Sequence, residues 1–129
     1  MSTATNTGSA TTATSLASSV AFRTFATVFA ITTPVIYTAC EMQNWPLFTY
    51  HPGTNRMNLG WAAAVKDEGP AMYWYGWMAT TLIGAGILGL LATKLPESTA
   101  RKIPLSLTWI ASLAVVPVLI YALRFFWRW

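Results

Sequence analysis

Three stretches of the chain run apolar with almost no charge, and polar or aromatic-rich segments separate them. The first covers residues 20–40, where Arg23 is the one charged side chain; the second, residues 71–93, carries none; the third, residues 104–126, carries Arg124 near its end. A bilayer core takes roughly 20 apolar residues at about 1.5 Å of helical rise each, and every stretch has that length. The pattern therefore predicts an all-α integral membrane protein with three transmembrane helices. A long, ordered, aromatic-rich loop joins the first helix to the second.

The polar residues inside the first stretch do not forbid insertion. Thr24, Thr27, Thr32, Thr33 and Thr38 can each bond to a carbonyl one turn back. Arg23 lies close enough to the start to reach the headgroups, and Pro34 removes one backbone donor. Ala26 and Ala30 offer a small-residue face. The second stretch follows the break Gly69-Pro70 and opens with Tyr73-Trp74-Tyr75-Gly76-Trp77. Within it Gly76, Thr80 and Gly84 are spaced by four, and Ala85 and Gly89 repeat the spacing. Such faces let a second helix approach closely. The partner helix is either in this chain or in a foreign subunit. Pro104 opens the third stretch, where a first-turn proline is tolerated.

The loop over residues 41–69 contains Trp45, Leu47, Phe48, Tyr50 and Trp61, with Pro46 and Pro52-Gly53 as turns. Residues 45–50 are expected to be extended and to lie in the membrane interface. Asn58 is expected to cap a short helix over residues 59–68 that Gly69 ends. Lys66, Asp67 and Glu68 would then face water, and Trp61 and Val65 would face lipid or a partner. The whole loop should fold back as a cap. Aromatic rings suit the headgroup layer; Trp45, Tyr73, Trp74, Trp77, Trp127 and Trp129 are the expected interfacial anchors. Residues 1–19 are Ser-, Thr- and Ala-rich without a charged side chain. They read as an uncleaved disordered tail, with residues 20–129 as the transmembrane domain.

Composition sharpens the picture. Of 129 residues 54% are hydrophobic and 9% charged, against about 25% charged in a soluble domain. The net charge of +4 is scattered, which suits loops facing the lipid bilayer and leaves no nucleic-acid footprint. Counting cations on either side of three spans ties: Arg23, Lys94, Arg101 and Lys102 against Arg56, Lys66, Arg124 and Arg128. The density of the loop around Arg101 favours the N-terminus inside.

Candidate chemistry is sparse. His51 is the one histidine and Cys40 the one cysteine, which excludes two-His haem ligation within one chain and any Cys-only zinc site. His51, Cys40 and Met42, with Met57 in the same loop, are ligand types that suit copper, at a spacing that matches no defined pattern. Glu41, at the edge of a span, is the best-placed carboxylate for proton chemistry. No phosphate loop, zinc-protease helix or nucleophile elbow occurs. The expectation is a non-catalytic accessory or structural subunit of a larger bacterial inner-membrane complex serving energy conversion and electron transport (respiratory, photosynthetic or monooxygenase). It would have no cofactor of its own, would bind lipid, and would pack on larger membrane subunits through Gly76, Thr80, Gly84 and Gly89. The alternative is a small membrane protein that holds a metal, a quinone or a shared cofactor through its loop and aromatic cluster. A third option is a homo-oligomer built through the same small-residue faces.

Overall fold

The computed structural model describes residues 18–124, so the terminal tail over residues 1–17 and the anchors Trp127 and Trp129 lie outside the described residues. The chain is mostly helical. In order it forms α1 (Val20–Gln43), β1 (Phe48–His51), β2 (Arg56–Leu59), α2 (Trp74–Ala92), the single turn α3 (Glu97–Ala100) and α4 (Ser106–Ala122). Two of these, α1 with 24 residues and α2 with 19, are long and apolar enough to cross a membrane; α4 is apolar but has 17 residues, about 25 Å of rise.

Helix α1 is threonine-rich, and local hydrogen bonds account for its hydroxyls. All five interior threonines donate their hydroxyls to the carbonyl four residues back, at 2.6–2.8 Å. Each hydroxyl is thus satisfied within its own helix and exposes no orphan donor. The helix ends at Asn44, which takes the left-handed conformation (φ 53°) and whose N–H returns to Cys40 and Glu41. Asn is one of the few residues besides Gly that adopts this conformation at low cost.

Helix α1 is the centre of the bundle. Both α2 and α4 pack on it. The α1–α2 seam is close because small residues line it. A side chain added at Gly84 would meet Ile36 at 3.3 Å, and one added at Gly89 would meet the Phe25 ring at 2.8 Å. Ala85, between them, and Thr81, three residues before Gly84, are buried. By contrast α4 buries no residue.

The segment between α1 and α2 departs from the all-α expectation. Strands β1 and β2 pair antiparallel in the register Phe48 to Leu59 and His51 to Arg56, joined by a turn over residues 52–55. The helix expected over residues 59–68 with Asn58 as its cap does not form. Asn58 sits in β2 opposite Thr49, and Gly60 takes φ 73°. An isolated ten-residue helix is marginal in water, and here the hairpin takes its backbone partners. The Thr49 hydroxyl donates to the Gly60 carbonyl (2.7 Å) and accepts from the Ala62 N–H (3.1 Å). Thr49 is wholly buried and is the hub that folds residues 60–62 under the hairpin. Replacing it with valine keeps the volume but strands one acceptor and one donor. The expected loss is about 1–3 kcal/mol, measurable by denaturant unfolding in micelles; a loss within experimental error would remove Thr49 as the hub.

Helix α2 begins three residues later than the sequence predicts. Met72 is engaged instead in a two-way backbone bridge with Tyr50: Met72 N–H to Tyr50 O at 2.8 Å and Tyr50 N–H to Met72 O at 3.3 Å.

Candidate functional site

The hairpin is clamped onto the first turns of α2. The Leu47 N–H donates to the Gly76 carbonyl (3.1 Å), and the Thr80 hydroxyl lies 3.2 Å from the Trp45 carbonyl and 3.0 Å from that of Gly76. Gly76 is buried against the chain entering β1: a Cβ there would collide with the Phe48 carbonyl oxygen and sit 2.6 Å from Pro46 Cβ. Gly76 and Thr80 therefore meet the hairpin, whereas Gly84 and Gly89 meet α1. The small-residue face seen in the sequence is divided between two partners within the chain.

Inside the hairpin lies a charged cluster that linear spacing does not suggest. Along β1 the inward positions are Thr49 and His51, as the period-2 alternation of a strand requires. His51 is fully buried. Its Nδ1 is 3.4 Å from Glu68 Oε2, and Glu68 Oε1 is 3.1 Å from the Arg56 guanidinium. Glu68, expected to face water, is 3% exposed. The reason is local. Asp67 (φ 78°) and Gly69 (φ 70°) both take left-handed backbone, which turns the chain so that Glu68 points back under the hairpin. There its Oε2 accepts the Val65 N–H (3.0 Å) and its carbonyl accepts the Gly53 N–H (3.0 Å).

The electrostatics follow from these contacts. The Val65 N–H holds the Glu68 carboxyl below its ordinary value; burial opposes this, and Arg56, His51 and the Thr54 hydroxyl reinforce it. A buried carboxylate so surrounded stays ionised and ties three segments together: the β1 end, the turn and residues 65–68. Neither ring nitrogen of His51 meets a hydrogen-bonding partner. One edge of the imidazole faces a carboxylate, and the other is enclosed.

The remaining expected site residues are dispersed. Cys40 is buried at the α1–α2 seam, where its thiol meets the Thr81 hydroxyl. Met42 is exposed in the last turn of α1. His51 instead has Glu68 and Arg56 as neighbours. Among the described residues no group of three or more His, Cys, Asp or Glu side chains is placed to hold a metal ion. Glu41 is half-buried at the end of α1. Of the aromatic run, Tyr73 and Trp77 stack at 6.2 Å between ring centroids, as residues four apart on a helix can. Tyr73 also reaches the Ala62 carbonyl at 3.4 Å. Trp74 and Tyr75 point outward, as does Trp45.

Sequence reading missed the Arg56–Glu68–His51 cluster. One signal was present: His51 and Arg56 flank Pro52-Gly53, already marked as a turn, and a hairpin closed there brings them face to face. Nothing local in the sequence placed Glu68. Compared with family models, curated proteins and solved structures, the chain matches none of them.

Proposed function

We propose that this chain is a multi-pass subunit of the bacterial inner membrane that stabilises a larger energy-converting complex without chemistry of its own. The observation that carries the reading is how little of its apolar helix surface the chain covers. Only 6% of the apolar window of α1 and 28% of that of α2 is buried, and α4 buries no residue. A core helix of a soluble protein would be mostly covered. Surfaces such as Ile83, Ile87, Leu90, Leu113 and Ile120 need lipid or other helices around them. In this reading the apolar helix α4, Ser106–Ala122, supplies the third span.

Two further features favour a partner over lipid alone. An apolar cleft of about 520 Å³ opens among α1, α2 and α4, lined by Phe29, Pro34, Tyr37, Met78, Leu82 and Val115; a helix from another subunit would fill it. The hairpin also presents Trp45, Met57, Leu59 and Trp61 outward from a base fixed by buried hydrogen bonds. Exposed apolar side chains on a rigid base suit a docking surface. Mild-detergent purification from native membranes, with an absorption spectrum of the same fraction, tests the proposal. Stoichiometric co-purification with larger membrane subunits is expected. Recovery of the chain alone would overturn it.

A further inference from the structure

At the end of the bundle opposite the hairpin, α1, α3 and the segment leading into α4 frame an open pocket of about 280 Å³, with Arg23 and Arg101 exposed at its mouth. Its lining combines two guanidinium-bearing residues, Arg23 and Arg101, with the apolar side chains of Val20, Ile103 and Leu105. The cations here are not balanced. Arg101 is held by Glu97 one turn earlier, while Arg23 has no ion pair among the described residues. Lys94 and Lys102 lie in the same connecting segment, Glu97 is its one carboxylate, and residues 1–17 carry no charged side chain. The pocket is thus cationic at its polar side and apolar at its other, at the level where α1 begins.

We propose that this pocket binds the phosphodiester headgroup of an anionic phospholipid. The phosphate would lie between Arg23 and Arg101, and the glycerol and upper acyl chain against Val20, Ile103 and Leu105. A guanidinium donates to phosphate oxygens in a fixed fork, and basic pockets beside membrane helices suit such headgroups. Inorganic phosphate shares the anion but gains nothing from the apolar wall. The inference rests on the membrane-spanning reading, and the two fail differently: a chain that stays in solution without detergent refutes that reading, whatever it binds.

The test is native mass spectrometry of the full chain from detergent, titrated separately with phosphatidylglycerol, phosphatidylcholine and inorganic phosphate. Phosphatidylglycerol adducts are expected at concentrations where phosphatidylcholine gives none, and millimolar phosphate should not displace them. Arg23→Gln should weaken the adduct about tenfold, the worth of one charged hydrogen-bonding group. Arg23→Lys should retain part of it, and Lys66→Gln at the opposite end should leave it unchanged. Equal binding of the two lipids, displacement by phosphate, or equal losses in Arg23→Gln and Lys66→Gln would each overturn the proposal. Helical circular dichroism of every variant separates lost binding from lost fold.

Discussion

Alanine at Gly76 is expected to lower the stability of the chain by about 3 kcal/mol, the upper part of the usual range for overpacking. The added methyl would collide with the Phe48 carbonyl oxygen and with Pro46. Neither is the free end of a flexible side chain, so the hairpin or α2 must shift. The shift would also break the Leu47 to Gly76 hydrogen bond and the contact of Thr80 with the Trp45 carbonyl. The same substitution at Gly86 is the control. A Cβ there meets nothing within 4 Å, and alanine should gain roughly 0.5–1 kcal/mol from helix propensity. At Gly89 the obstacle is chiefly the Phe25 ring, which can turn, so its loss should fall between the two. Detergent-micelle unfolding followed by tryptophan fluorescence gives the order. Equal effects at Gly76 and Gly86 would mean that the hairpin does not rest on α2.

Acid is expected to open the hairpin cap, and Glu68 should be the cause. Its carboxyl is held below its ordinary value, chiefly by the Val65 N–H, with help from Arg56, His51 and Thr54 against burial. A group whose folded value is depressed contributes stability that is complete above its unfolded value, about 4.3 for Glu. That contribution is lost as the pH falls through the lowered folded value. Hydrogen exchange at the Val65 and Gly53 amides, whose partners are the Glu68 side chain and carbonyl, reads it directly. Protection, corrected for intrinsic exchange, should hold from neutrality to about pH 5 and fall below roughly pH 4. Glu68→Gln should show weakened protection at neutral pH and no comparable fall in acid, because the amide does not titrate in this range. Wild-type protection that ignores pH would rule out a charged Glu68 as the clasp.

Gly76 matters because two backbones approach closely, and Glu68 because a buried charge meets His51 and the Val65 N–H inside and the half-exposed Arg56 at the surface. The pocket at the far end, which we propose holds a lipid headgroup, adds a third kind of contact, between the chain and its surroundings. All three follow from one arrangement, in which α1 carries the other helices and the hairpin closes one end of the α1–α2 seam.

Much of this arrangement was legible in the chain itself. The apolar length of residues 20–40 and 71–93 specifies two long helices, because only a helix satisfies so many consecutive backbone groups without outside partners. The threonines of α1 bond back to their own helix for the same local reason. The spacing of Gly84, Ala85 and Gly89 marks a close helix seam, since a missing side chain is a property of the residue and not of its surroundings. The Pro52-Gly53 turn was likewise visible.

Only the tertiary structure decided the rest. Whether residues 59–68 became a helix or an irregular segment under the hairpin depended on Thr49, 11 and 13 positions back, capturing the Gly60 carbonyl and the Ala62 amide. Local propensity in a ten-residue stretch is too weak to resist such partners. The burial of Glu68 depended on left-handed backbone at Asp67 and Gly69 and on a hairpin closing over it. Lys66, Asp67 and Glu68 read identically as surface charges until the chain direction is known. The division of the small-residue face, with Gly76 turned to the hairpin and Gly89 to α1, was equally hidden. Spacing in sequence determines which residues share a face of a helix, and only packing determines what that face meets.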